Sequence, residues 1–63
     1  MYEKYRKLRD ERNLTDSEVA RGTGITKSTF SDWKAGRSNP GLKKIQKISK
    51  FLGVAMEDLL EEI

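Results

Sequence analysis

The residues best suited to chemistry lie between Thr26 and Asn39, where hydroxyl, amide and charged side chains are concentrated. Within this segment Lys27, Ser28 and Asp32 offer a cation, a hydroxyl and a carboxylate, which are groups that form hydrogen bonds. They do not form the paired acid and base, or the nucleophile with its base, that an enzyme needs. The chain also contains no histidine and no cysteine, the common zinc ligands. The pattern favours recognition of a polar ligand over catalysis.

A predicted helix and turn come directly before these side chains. Thr15 is a suitable N-cap, and Glu18 three residues later completes a capping box, so a helix is predicted over about Asp16–Thr23. Gly24 then supplies a tight turn, because glycine adopts left-handed backbone angles at little cost. The sequence thus predicts two short helices joined by a tight turn.

The second helix of the pair is predicted over Lys27–Ala35, with Thr26 as its cap. Phe30 and Trp33 are three residues apart and give this helix one buried stripe. Trp33 is expected to be only partly covered, since its indole N–H needs a partner. The side chains that remain outside the stripe are Lys27, Ser28, Thr29 and Asp32.

Three further helices complete an all-α prediction for a single domain over residues 1–63. The first covers about Tyr2–Arg12 and ends at Asn13. Gly36 is expected to terminate the helix before it in left-handed conformation, and the next helix begins at Pro40 or Gly41 and stops at Gly53. Its apolar positions and those of a fifth helix over Met56–Ile63 follow helical spacing: Leu42, Ile45, Ile48, Ser49 and Leu52, then Met56, Leu59, Leu60 and Ile63.

The charge is distributed unevenly along this chain of 63 residues, whose net charge is +3. Residues 26–50 contain seven basic residues and one acidic residue, whereas residues 56–63 contain four acidic residues and no basic one. A basic segment attracts phosphates, although lysine-rich solvent faces are also common. No apolar run reaches the roughly 18 residues of a membrane span, and residues 1–12 are too charged for a signal peptide. We expect a cytoplasmic protein without membrane, cofactor or small-molecule substrate.

The ordered pattern of these residues resembles the Cro and lambda-repressor-like helix-turn-helix family. The resemblance covers Leu8 to Leu60 and implies a compact five-helix DNA-binding domain with its helix-turn-helix at helices two and three. It implies that helix 27–35 enters the major groove, where Lys27, Ser28 and Asp32 contact bases. The matching residues are Leu8, Thr15, Ala20, Gly24, Ile25, Ser31, Trp33, Gly36, Pro40, Leu42, Ile45, Ile48, Leu52, Gly53 and Val54.

The resemblance also implies a set of phosphate contacts around the recognition helix. Arg37 is the foremost of these, because it follows the glycine stop and can swing toward the DNA backbone. The alternative for each position is an ordinary solvated side chain, and for Asp32 a pair with a nearby cation. The implied phosphate contacts are Thr26, Thr29, Arg37, Ser38, Asn39, Lys43 and Lys44.

Three positions depart from the family pattern. Asp16 stands where relatives usually have a glutamine that touches phosphate; an acid there favours the helix dipole but repels DNA. Lys34 replaces a glutamate that usually pairs with the arginine matching Arg9, so Arg9 must pair with Glu18 or Asp10 or remain solvated. Ala55 replaces the usual serine or threonine cap of helix five, at a cost of roughly 1 kcal/mol.

Two functions follow from these observations. The first is a sequence-specific transcriptional regulator, a repressor of phage, mobile-element or bacterial origin, that binds a palindromic operator as a homodimer. The second is a protein-interaction module, antitoxin-like or polymerase-contacting, for which DNA binding is secondary. The dimer seam is expected near the end of the chain, although the same side chains could instead close the core. The seam residues are Phe51, Met56, Leu60 and Ile63.

Overall fold

The computed structural model describes residues 2–60, which contain four α-helices and one short 3₁₀ turn. No strand occurs within these residues, so the all-α prediction is confirmed. The first and third helices each end one residue before the predicted boundary, a difference that is normal for helix ends. The elements are α1 Tyr2–Glu11, α2 Asp16–Thr23, α3 Lys27–Lys34, α4 Leu42–Leu52 and the 3₁₀ turn Met56–Asp58.

The prediction of a fifth α-helix over Met56–Ile63 is wrong in the described residues, where only the 3₁₀ turn forms. Ala55 has no side-chain acceptor for the first N–H groups, and the carboxylate of Asp58 instead accepts from the Ala55 N–H at 3.2 Å. A single turn is enough to bring Leu59 into the core, where it is fully buried. Residues 61–63 of this predicted helix lie outside the described residues.

The predicted cap and turn of α2 are confirmed. The Glu18 N–H donates to the Thr15 hydroxyl at 3.2 Å, and the Glu18 carboxylate accepts from the Thr15 N–H at 3.1 Å. Gly24 ends the helix with φ 76°, a left-handed angle that glycine adopts without a Cβ penalty. The Thr23 hydroxyl then donates to the Val19 carbonyl at 2.8 Å. These bonds fix the direction in which the chain leaves α2.

An aromatic cluster joins α1 to α3. The ring of Tyr5 stacks on that of Trp33, with ring centroids 4.9 Å apart. The centroid of the Phe30 ring lies 5.5 Å from that of Tyr5. Tyr2 meets Trp33 edge to face at 5.4 Å. Trp33 is only 3% exposed, so the expectation of partial cover is wrong, and its indole N–H has no partner within residues 2–60. The four rings therefore bury the whole inner face of α3.

The remaining core lies between α2 and α4. Ile45, Ile48 and Leu52 are buried as predicted, whereas Leu42 is 69% exposed. Leu42 is the first residue of α4, where helix geometry directs the Cβ toward the N-terminal end of the helix. The buried residues of this layer are Val19, Ala20, Ile25, Ile45, Ile48, Ser49, Leu52 and Leu59. Among the described residues, no helix has the length and apolar character needed to cross a membrane.

The carboxylate of Asp16 connects the start of α2 to three side chains of α1. It accepts hydrogen bonds from the hydroxyls of Tyr5 at 2.6 Å and Tyr2 at 3.0 Å. It also accepts from a guanidinium N–H of Arg9 at 2.7 Å. Burial alone raises the pKa of Asp16, but the hydrogen bonds from Tyr5, Arg9 and Tyr2 outweigh it, so the pKa lies below its ordinary value.

Arg9 forms ion pairs with two acidic residues. It pairs with Asp10, as expected, at 2.7 Å, and with Asp16 at the same distance. Glu18, the other expected partner, is used by the capping box instead. The Asp16 carboxylate is thus engaged with α1 through Tyr2, Tyr5 and Arg9.

We predict that Asp16→Asn lowers the free energy of unfolding by about 2 kcal/mol at pH 7, because three donors lose a charged acceptor. Since folding lowers the pKa of Asp16, its carboxylate stabilises the fold above the unfolded pKa of about 3.9 and loses this effect as pH falls through the folded pKa. Urea unfolding of both proteins between pH 2 and 7 measures the difference, which should narrow in acid.

Asp10→Asn is the matched control. Its carboxylate contacts only Arg9 within the described residues and its side chain is 54% exposed, so its loss is expected to cost under about 1 kcal/mol. Equal destabilisation by the two substitutions would contradict the central role of Asp16.

Candidate nucleic-acid interface

The outer face of α3 separates cleanly from its buried face. Lys27 and Ser28 are exposed in the first turn, and Asp32 lies half-buried one turn later. Phe30 and Trp33 point into the aromatic cluster. No core contact therefore requires a lysine or serine at the start of this helix.

Three hydroxyls cluster at the beginning of α3. Thr26 occupies the N-cap position with extended backbone angles, but its side chain makes no capping bond, so the prediction of a side-chain cap is wrong. Its hydroxyl instead contacts that of Ser28 at 3.2 Å and that of Thr29 at 3.0 Å. The first N–H groups of α3 are thus left without a side-chain cap, and they carry the partial positive charge of a helix start.

At the other end of α3, Asp32 and Arg37 form an ion pair. The Arg37 Nε–H donates to Asp32 Oδ1 at 3.0 Å; the Arg37 side chain is largely exposed, and that of Asp32 is 44% exposed. The Asp32 carbonyl accepts from the backbone N–H groups of Arg37 at 2.9 Å and Ser38 at 3.5 Å. Gly36 between them has φ 76°, the left-handed turn that the sequence predicted. The structure thus joins one predicted base contact to the foremost predicted phosphate contact.

The loop after α3 and the start of α4 carry the remaining predicted phosphate contacts. Ser38 and Asn39 are exposed, and Pro40 beside them is buried and fixes the loop to the body. Gly41 is the N-cap of α4 and has no side chain to satisfy the first N–H groups. Lys43 and Lys44 follow in the first turn, both exposed. This helix start therefore also combines uncapped N–H groups with cations.

The predicted seam residues have different environments. Phe51 is 41% exposed and Leu60 38%, whereas Met56 is half-buried against the core. The ring of Phe51 lies directly over Gly22 of α2, so closely that a Cβ at Gly22 would collide with it. Phe51 therefore serves partly to cover α2, although its exposed fraction is close to that of Leu60. Ile63 lies outside the described residues.

Comparison with known proteins decides the family. A model described as helix-turn-helix matches residues 6–59. This chain belongs to the helix-turn-helix family. The resemblance to Cro and lambda repressor that the sequence indicated is confirmed by this match and by the relatives below.

The relatives are named as transcriptional regulators. The chain is 39% identical over 59 residues to the cryptic phage CTXphi transcriptional repressor RstR of Vibrio cholerae, covering 94% of this chain and 53% of the repressor. It is 36% identical over 61 residues to the helix-turn-helix-type transcriptional regulator DdrOP3 of Deinococcus deserti, covering 97% and 47%. An uncharacterized helix-turn-helix-type regulator of Methanocaldococcus jannaschii is 36% identical over 59 residues, with 94% and 89% covered. The chain spans about half the length of the first two relatives.

Two contacts of this surface were not predicted from the sequence. For Asp32 the sequence indicated a pair with a nearby cation but did not identify Arg37. The two residues are five positions apart, and the end of α3 lies between them. The hydroxyl cluster of Thr26, Ser28 and Thr29 was also missed, since a threonine before a helix usually caps it. Only the left-handed Gly36 signalled that the chain folds back toward Asp32.

Proposed function

We propose that this chain is a double-stranded DNA-binding domain of a transcriptional regulator, with α3 in the major groove. The observation that carries the proposal is the division of α3 into a fully buried aromatic face and an exposed polar first turn. An α-helix with its side chains is about 10–12 Å in diameter, and a major groove about 12 Å wide admits a helix of that diameter. Such a helix fits the groove with its first turn toward the bases.

Base contacts are assigned to Lys27 and Ser28. Lysine suits the O6 and N7 acceptors of guanine, and a serine hydroxyl can donate or accept with several bases. Both are exposed at the leading turn. Asp32 could accept from the N4 amino group of cytosine, but its carboxylate is already paired with Arg37.

Phosphate contacts are assigned to residues on both sides of that leading turn. Thr26 and Thr29 stand at the entry to α3, while Arg37, Ser38 and Asn39 lie in the loop that follows it. Lys43 and Lys44 extend the same basic segment, whose net charge from residue 26 to residue 50 is +6. Such contacts orient a domain on the duplex without reading its sequence.

We further propose that two copies bind a palindromic operator, because one recognition helix reads only a few base pairs. The seam would use Leu60 with Met56 and the outer edge of Phe51, joined by Ile63 beyond the described residues. Repression by operator occupancy, in a phage or bacterial setting within the cytoplasm, is supported by the phage repressor among the relatives.

A second candidate is a protein-interaction module. The observation in its favour is that Leu60 is exposed close to the exposed acids Glu57 and Asp58, a combination suited to a basic partner with an apolar side chain. Under this alternative, the domain would bind duplexes without sequence preference.

We predict that Lys27→Ala changes the preferred base at one operator position, with a loss of about 1–3 kcal/mol in discrimination. Lys43→Ala should instead weaken binding to all duplexes alike and lower the salt slope by about one. Selection from randomised duplexes, followed by titrations at several salt concentrations, measures both. Equal affinity of the unaltered domain for random and selected duplexes would exclude sequence-specific regulation.

Sedimentation at tens of micromolar tests the dimer. We expect a mass near twice that of the monomer, and we expect Leu60→Asp to shift it to the monomer because a carboxylate would be buried in the seam. Leu42→Asp is the control, because Leu42 is also exposed. Leu42 begins α4, whereas Leu60 comes after the C-terminal end of that helix. A strict monomer on a two-site duplex would argue against the seam.

A further inference from the structure

We propose that Asp32 is a positioning residue, which aims the guanidinium of Arg37 at a phosphate instead of reading a base. The inference rests on the proposed function, because it concerns the same DNA surface. It assigns a role in affinity to a residue whose location on the recognition helix would otherwise indicate a role in specificity.

The geometry of the pair leaves the phosphate-binding edge of Arg37 available. A guanidinium has five N–H donors, and the bond to Asp32 uses the one on Nε. The two terminal nitrogens make no hydrogen bond within the described residues, and the Arg37 side chain is 67% exposed. Two parallel N–H groups on these nitrogens match two oxygens of a phosphate.

Asp32 holds Arg37 at two points. Its carboxylate holds the side chain, and its carbonyl accepts from the Arg37 backbone N–H at 2.9 Å. The backbone bond depends on the left-handed turn at Gly36. An arginine that is held at its backbone N–H and at its Nε–H loses less conformational freedom when it binds a phosphate. Preorganisation of this kind increases affinity.

The charge of Asp32 supports the same role. A carboxylate beside DNA repels phosphates unless a cation compensates it. Here the compensating cation is already attached, so the pair is close to neutral while its outer edge still donates to an anion. The contact with Arg37 uses Asp32 Oδ1, and Oδ2 remains able to accept from an amino group, so an unchanged base preference is the result that separates the positioning role from base reading.

A double-substitution cycle on the selected duplex tests the proposal. If Asp32 positions Arg37, Asp32→Asn should weaken binding about threefold when Arg37 is present, by loss of a pair of modest strength. In the Arg37→Ala background the same change should not weaken binding and should slightly strengthen it, because only phosphate repulsion is removed. The base preference obtained by selection should remain unchanged throughout.

Lys34→Ala is the matched control, because Lys34 is an exposed cation at the end of α3, whereas the ion pair of Asp32 is with Arg37. Asp32→Asn should have the same effect in this background as in the unaltered domain. Thermal unfolding of each variant identifies general destabilisation, which is expected to be small for an exposed pair.

A second measurement does not depend on DNA. The Arg37 Nε–H should give a slowly exchanging, shifted NMR signal in the free domain, and Asp32→Asn should abolish that difference while Asp32→Glu retains part of it. An Arg37 Nε–H signal that is identical in the unaltered domain and in Asp32→Asn would overturn the inference.

The binding outcomes separate the two proposals. A changed base preference on Asp32→Asn, or an equal effect of that substitution with and without Arg37, would overturn the positioning role while leaving DNA recognition intact. Failure of the unaltered domain to bind any duplex would overturn both.

Discussion

The carboxylate of Asp16 is the interaction on which the arrangement of this domain depends. It lies at the first residue of α2 and fixes the hydroxyls of Tyr2 and Tyr5 on α1. The rings of the same tyrosines pack against Trp33 on α3. Three helices are thus oriented by one side chain, partly through hydrogen bonds and partly through the rings that those bonds orient. The hydrogen-bond network around Asp16 contains a cation as well as the carboxylate, because the guanidinium of Arg9 also donates to Asp16.

The two helices of the helix-turn-helix begin in opposite ways. The start of α2 is closed by a complete capping box and faces inward through Asp16. The start of α3 has no side-chain cap among the described residues, because the Thr26 hydroxyl is engaged with Ser28 and Thr29. Stability is therefore concentrated in the first helix of the pair, while hydrogen-bonding capacity is retained by the second.

Local signals allowed most of the fold to be predicted from the sequence. The capping box at Thr15, the glycine stops and the apolar spacing of Ile45, Ile48 and Leu52 each depend on neighbouring residues, which a sequence displays directly. The prediction of a fifth helix relied on apolar spacing alone, although Ala55 supplies no side-chain cap. A single turn is enough to bury Leu59, so the apolar spacing did not require a longer helix. The prediction that Leu42 belongs to the apolar face of α4 was wrong, because helical periodicity does not show where the core ends.

The candidate site was less accessible, since its geometry depends on contacts between elements. The exposure of Lys27 and Ser28 followed from the positions of Phe30 and Trp33. The partners of Asp16 and Asp32 did not follow, because charges pair according to where the chain folds back and not according to their separation in sequence. The base and phosphate contacts themselves remain predictions.

The separation of faces on α3 has a consequence for how such domains diversify. Lys27 and Ser28 take no part in the core that holds the helix in place. Substitutions at these two positions are therefore expected to cost little folding stability, so the residues proposed to read bases can be exchanged without altering the body that holds them.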